Sequence, residues 1–141
     1  MARKSFVVRF ALIATLVSLA LALVPGAMAG KPGGSSGGSS LSLVLLNSTD
    51  GLAHYGQQVT FNVSTAATTQ PYVRLDCYEG GVWTLSSSAG FFDGYLWPWT
   101  RNFTLSWDMW HTPGAAADCT ATLYSQTKKG SLAKLTFHVY A

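Results

Sequence analysis

Charged residues are scarce in this chain of 141 residues, since Asp, Glu, Lys and Arg together make up only 11% of it. Nine Lys and Arg against six Asp and Glu give a formal net charge of +3. Arg3, Lys4 and Arg9 supply all of that excess, and residues 30–141 carry no net charge. Nucleic-acid binding needs a basic patch that neutralises phosphates. The neutral segment 30–141 therefore gives no support for a nucleic-acid partner or for electrostatic attachment to anionic lipid.

The chain also lacks an apolar run long enough for a typical membrane span. Its longest run, 10–24, has about 15 residues, whereas a transmembrane helix needs roughly 20. This run follows the basic start, is broken by Pro25 and Gly26, and ends in Ala27-Met28-Ala29, which is typical of a bacterial signal-peptidase site. We therefore predict a signal peptide over 1–29 and a secreted, extracellular mature protein with no membrane insertion after cleavage. An uncleaved anchor is the alternative.

Motifs for catalysis and metal binding are missing as well. Gly-x-Ser-x-Gly occurs only within the glycine- and serine-rich run 33–38, which is not a setting for a catalytic nucleophile, and there is no His-Glu-x-x-His and no pair of carboxylates in a recognisable setting. The histidines, His54, His111 and His138, fall on separate segments. We expect no catalytic residue, no metal, no cofactor and no enzymatic activity. A small secreted hydrolase that uses Asp108 and His111 is a minor alternative.

What the chain does contain is a spacer and one domain. Apart from Lys31 and Pro32, residues 30–40 are only glycine and serine, so they are predicted to form a flexible linker. It is either a tether or, as we favour, a spacer that keeps the cleavage site accessible. Residues 41–141 then number about 100, the size of a single β-sandwich domain.

Alternation of apolar and polar residues, with a period of two, recurs along this domain and predicts strands rather than helices. A tight turn at Glu79-Gly80-Gly81 predicts a hairpin. Period-two patterning indicates two antiparallel sheets packed face to face in an all-β sandwich. The seven predicted strands are 41–46, 57–65, 72–78, 82–86, 101–107, 118–125 and 132–140.

Two cysteines, Cys77 and Cys119, fall on the inward phase of their strands. A secreted chain with two cysteines usually pairs them, so we predict a buried disulfide. Zinc binding is the poorer interpretation, because a structural zinc site has four ligands at short spacings and neither cysteine has such neighbours.

Three runs resemble strands of bacterial immunoglobulin-like domains: Gly56–Val63, Asp118–Tyr124 and Leu135–Val139. The resemblance implies an Ig-like sandwich of a secreted or surface protein that serves in adhesion, spacing or ligand binding, with no single activity implied. Ala117 departs from the pattern of antibody domains, which carry a Tyr two residues before the second cysteine. By strand count the bridge joins neighbouring strands C and F of one sheet. If 41–46 lies outside the sandwich, it becomes the B–F bridge between sheets.

Two surfaces are candidates for ligand binding. The first is an aromatic stretch after residue 90, because exposed rings stack on sugars while a carboxylate bonds the hydroxyls. Its candidate residues are Phe92, Asp93, Tyr95, Trp97, Trp99 and Trp110. The competing interpretation is that these rings cap the open end of the core.

The second candidate is the outward face of the third, sixth and seventh predicted strands, which is neutral and rich in tyrosine. Its candidate residues are Tyr72, Arg74, Tyr78, Tyr124, His138 and Tyr140. An ordinary solvated sheet face is the competing interpretation. The functional expectation is a secreted binding or adhesion module with a carbohydrate or protein ligand outside the cell. An inert structural or assembly module is the alternative.

Overall fold

The chain is all-β in the computed structural model, which describes residues 38–95, 101–106, 112 and 114–141. Most of the predicted signal and linker segments therefore lie outside the described ranges. Within those ranges no helix is long and apolar enough to cross a membrane. The strands are β1 (Ser40–Leu45), β2 (Ala53–His54), β3 (Gln58–Ser64), β4 (Pro71–Glu79), β5 (Val82–Gly90), β6 (Phe103–Thr104), β7 (Ala117–Ser125) and β8 (Ser131–Tyr140).

These strands form two sheets, as the period-two pattern predicts. One has three strands in the order β1-β3-β6, and the other has five in the order β2-β8-β7-β4-β5. All pairs are antiparallel except the short β2, which runs parallel to β8. The core lies on the faces opposite the polar residues, and its fully buried members include Val59, Leu75, Leu85, Leu123 and Leu135.

Several strand ends differ from the predicted ones for local reasons. β1 begins at Ser40, inside the predicted linker, and Ser39 is already buried with its hydroxyl 2.7 Å from that of Thr65. β5 continues to Gly90 rather than ending at Ser86, because β4 pairs with it along its length. The predicted strand 101–107 is a strand only at Phe103–Thr104, and Trp107 lies outside the described residues.

The β4–β5 hairpin shows how a turn and a bulge set the direction of side chains. Its two-residue loop, Gly80-Gly81, has φ of 57° and 87°, the left-handed backbone that a tight hairpin turn requires. Three residues farther on, the pairing skips Thr84, which is therefore a bulge residue. Thr84 is buried, and its hydroxyl donates to the carbonyl of Cys77 at 3.1 Å. Between the turn and the bulge, Val82 and Trp83 are exposed to solvent.

A disulfide joins Cys77 of β4 to Cys119 of β7, as predicted. The two residues are direct register partners in neighbouring strands of one sheet, with Cα atoms 4.1 Å apart. The alternative of a bridge between the two sheets is therefore wrong. Both cysteines are buried on the core face, so the bridge fixes the register of two strands that each contribute several buried residues to the core.

Replacing both cysteines, Cys77→Ala with Cys119→Ala, is expected to lower the free energy of unfolding by about 4 kcal/mol, because the bridge closes a long loop in the unfolded chain. Urea denaturation followed by far-UV circular dichroism measures the change. The control is the unmutated protein, oxidised and then reduced. Equal stability of all three forms would contradict the role assigned to the bridge.

Candidate functional site

The outer face of the five-stranded sheet carries the polar half of the alternation in β4, β7 and β8. Register pairs place Tyr72 beside Tyr124, and Arg74 beside Thr122, which in turn neighbours Lys134. The face is thus ordered in rows that run across the strands. One row is aromatic, and the next is polar with a cation on either side.

The aromatic stretch that follows β5 divides between the core and this outer face. Phe91 turns inward, where its ring stacks on Phe103 at 6.5 Å between centroids and meets Phe61 edge-on at 6.4 Å. The Phe91 backbone N–H donates to the Pro71 carbonyl at 2.8 Å, and the Arg101 guanidinium lies 5.9 Å from the Phe91 ring centroid. Phe91 is therefore partly buried and packs against the core rather than on the outer face.

Phe92 and Tyr95 instead pack on the outer face against Tyr72. Their ring centroids lie 5.4 Å and 6.0 Å from that of Tyr72, both edge-on, while the ring of Tyr124 lies 5.8 Å away on the other side. These four residues form one continuous surface, which we call the aromatic row: Tyr72, Tyr124, Phe92 and Tyr95. The aromatic row joins one candidate surface to the other.

Gly90 makes this packing possible because it has no side chain. It is the register partner of Tyr72 and ends β5 just before the aromatic segment. A Cβ placed on Gly90 would lie 2.4 Å from the Tyr95 ring and 2.6 Å from the Phe92 ring. Arg101 holds the same segment from the other side, donating to the Phe92 carbonyl at 2.7 Å.

A depression of about 490 Å³ opens beside the aromatic row. We call it the basic pocket, since three cations line it. Arg74 and Lys134 lie on the sheet, Lys128 comes from the β7–β8 turn, and Thr122 and Tyr124 supply a hydroxyl and a ring. Tyr124 thus belongs to both the aromatic row and the basic pocket.

Tyr78, His138 and Tyr140 lie at the other end of the same face, about 20 Å from Tyr72 at the usual rise along a strand. His138 Nδ1 is 2.8 Å from Asp118 Oδ1, and its ring lies 4.7 Å from that of Tyr140. The second candidate surface is therefore split into two ends, and only one of them adjoins the aromatic row.

His54 adds a second histidine–carboxylate pair near Tyr140, with Nε2 at 2.8 Å from Asp50 Oδ2. The carboxylate of Asp50, and secondarily the carbonyl of Ala141, raise the pKa of His54 above its ordinary 6.5. The backbone N–H of Leu52 is the main cause that lowers the pKa of Asp50 from 3.8 to about 2, with His54 and Ser48 adding to it. Asp50 is exposed and His54 is partly exposed, so this pair is a surface feature.

Of the predicted ligand-binding residues, Phe92 and Tyr95 join the aromatic row, and Asp93 is exposed on the same loop. Trp97, Trp99 and Trp110 lie outside the described residues.

Sequence analysis missed Gly90, Lys128 and Lys134. Lys134 has the same outward phase in β8 as His138 and Tyr140, and that signal was sufficient to include it in the second surface.

Asp108 and His111, on which the hydrolase alternative depends, also lie outside the described residues. In the part of the chain that the structure describes, no three His, Cys, Asp or Glu side chains cluster as a metal site. Comparisons with models of protein families, with curated proteins and with solved structures find no match to this chain. Inference about function therefore depends on the geometry of the sheet face.

Gly90→Ala is expected to displace the Phe92 and Tyr95 rings from Tyr72, because the added methyl occupies their position. Overpacking of this kind costs about 1–3 kcal/mol of stability. Aromatic NMR chemical shifts and thermal unfolding measure the two effects. Ser88→Ala, at the preceding outward position of β5, is the matched control and leaves both unchanged. Unaltered ring shifts in Gly90→Ala would show that the rings do not pack on this glycine.

The pKa of His54, measured by NMR titration, is expected to lie above 6.5 and to fall toward that value in Asp50→Asn. Asparagine keeps an oxygen that can accept from Leu52 but loses the charge. Since the pKa of His54 is raised on folding, its contribution to stability is complete below pH 6.5 and is lost as the pH rises through the folded value. Asp50 acts in the opposite sense, contributing above pH 3.8 and losing that contribution as the pH falls toward about 2. An identical His54 titration in both proteins would contradict the pairing.

Proposed function

We propose that this chain is a secreted immunoglobulin-like binding module that holds a carbohydrate on the outer face of its five-stranded sheet. The single observation that carries the proposal is the aromatic row beside an open pocket. Sugar-binding sites combine rings, which stack on the apolar face of a sugar, with a few polar groups that fix its orientation. Tyr124 supplies a ring at the pocket, and Thr122 supplies a hydroxyl next to it.

Sheet order supports the immunoglobulin-like assignment. With β1, β3 and β6 as strands A, B and E, the remaining long strands become C, C′, F and G. The orders A-B-E and G-F-C-C′ agree with strand neighbours in that sandwich, apart from its strand D, which has no counterpart among the described strands. Two departures remain, since the bridge joins C to F rather than B to F, and Ala117 stands where antibody domains have a tyrosine.

Secretion is supported by the N-terminal segment that ends in Ala27-Met28-Ala29. The disulfide is compatible with an oxidising compartment. A site outside the cell gives a carbohydrate-binding face access to polysaccharides of cell surfaces and of the surroundings.

Protein binding at the tip of the β4–β5 hairpin is a second candidate function. Tyr78, Val82 and Trp83 are 41%, 53% and 44% exposed there, close together on the two strands that flank the turn. Exposed apolar residues that cluster in this way often mark protein contacts. The tip lies at the opposite end of β4 from the aromatic row, so one substitution at each site separates the two functions.

Tyr124→Ala is expected to weaken binding to an immobilised polysaccharide by about tenfold or more, because loss of a central ring costs about 2 kcal/mol. The measurement is a panel of neutral and acidic polysaccharides, screened with the oxidised protein and quantified by calorimetry for each binder. Thermal unfolding of the variant checks that the sheet remains intact.

Tyr140→Ala is the matched control, since it removes the same side chain from the far end of the same face and is expected to retain affinity. Absence of binding to every polysaccharide in the panel would contradict the proposal. Equal losses in both variants would show that the aromatic row is not the site. Loss of a protein partner in Trp83→Ala, with no glycan bound, would favour the hairpin tip.

A further inference from the structure

Positive charge is concentrated at one place on a domain that is otherwise close to neutral. Residues 38–141 contain five Lys and Arg, of which Arg74, Lys128 and Lys134 line the basic pocket. Among its lining residues there is no carboxylate. Such focusing raises the local concentration of an anion even where the net charge of the protein is small.

The contacts of these cations leave them able to bind a ligand. Arg74 donates through Nε to Asp76 Oδ2 at 2.8 Å, and 56% of its side chain is exposed. The ammonium group of Lys128 donates to the carbonyl of Ala67, which holds the β7–β8 turn against a neighbouring loop. The Lys134 side chain makes no hydrogen bond or ion pair with any other residue that the structure describes, and Lys134 is exposed.

Asp76 positions Arg74 rather than blocking the pocket. Its second oxygen, Oδ1, accepts from the Ser86 hydroxyl at 2.7 Å, so both of its oxygens have partners on the sheet. The bond of Arg74 to Asp76 uses Nε, so the two terminal nitrogens of the guanidinium can still donate together to a carboxylate or sulfate in an end-on forked arrangement.

Register fixes the distance between the two sheet cations. Arg74, Thr122 and Lys134 are consecutive partners across β4, β7 and β8. Neighbouring strands lie about 4.8 Å apart, so the Arg74 and Lys134 backbones are about 10 Å apart with Thr122 between them. An anionic group above Thr122 would be within reach of both long side chains, and Tyr124 lies two residues along β7 in the adjacent row.

We infer that the basic pocket binds the carboxylate or sulfate group of an acidic polysaccharide, one of whose sugar rings stacks on Tyr124. This inference rests on the proposed carbohydrate-binding function and names the class of its ligand. A polysaccharide fits better than a nucleic acid, because a single pocket with three cations lacks the extended basic stripe that tracks a phosphate backbone. The adjacent rings match a sugar that carries its charge beside an apolar face.

The experiment compares polymers that share a backbone and differ in charge. Polygalacturonate is compared with its methyl ester, and dextran sulfate with dextran, which tests carboxylate and sulfate separately. Lys134→Gln is the test variant, because that side chain has no partner to lose among the described residues. Lys129→Gln is the matched control, since it removes the same charge from an exposed residue in the β7–β8 turn that does not line the pocket.

The expected result is that at least one acidic polymer binds the unmutated protein more tightly than its neutral counterpart. Lys134→Gln weakens that binding about fivefold, as for loss of one partly exposed ion pair, and Lys129→Gln leaves it within about twofold of the unmutated protein on the same basis. Added salt weakens binding of the acidic polymer and leaves binding of a neutral polymer unchanged. Unchanged melting temperatures in both variants confirm that only binding is altered.

Four results would overturn the inference. Equal losses of affinity in Lys134→Gln and Lys129→Gln would indicate that the protein attracts any polyanion. A single-stranded oligonucleotide that binds as tightly as the acidic polysaccharide would indicate the same. If only neutral polymers bind, and Tyr124→Ala weakens that binding, the anionic ligand is ruled out while the proposed carbohydrate binding is supported. If no polymer binds, both this inference and the proposed carbohydrate-binding function are contradicted.

Discussion

The register between β4 and β7 is the constraint on which most of the structure depends. Because side chains alternate along a strand, the pairing of Cys77 with Cys119 sends both inward and sends Tyr72 and Tyr124 outward as partners. A slip of one residue would move apolar residues such as Leu75 to solvent and turn the tyrosines into the core. The disulfide prevents that slip covalently, so one bond defines both the buried face and the surface that we propose as functional.

The binding surface is assembled by elements packed around this pair of strands rather than by the pair alone. β5 adds Gly90 beside Tyr72, and the missing side chain leaves room for rings that arrive from the next segment. β8 adds Lys134 beside Thr122, while its preceding turn adds Lys128. The two sides of Tyr124 therefore differ in chemistry. The side toward β5 is apolar, because the rings pack over Gly90, and the side toward β8 is cationic, because Lys128 and Lys134 lie there.

Much of the fold could be predicted from local patterns, for reasons visible in particular residues. Alternation in 72–78 and 118–125 indicated strands and the inward phase of both cysteines, and the Gly80-Gly81 pair indicated the hairpin, because each of these signals lies within a few consecutive residues. Prediction was weaker where pairing overrides local preference. Ser87 and Ser88 have little strand propensity of their own, yet they continue β5 because β4 offers backbone partners for both.

The sequence by itself determined that the domain is all-β, which residues face inward, and that Tyr72, Arg74 and Tyr124 share a phase. Only the tertiary structure decided that Phe91 enters the core while Phe92 and Tyr95 lie on Tyr72, and that Arg74, Lys128 and Lys134 meet at one pocket. The physical reason is the range of each interaction. Alternation depends on neighbouring residues in the chain, whereas these meetings depend on strand order, on register and on the space above a glycine.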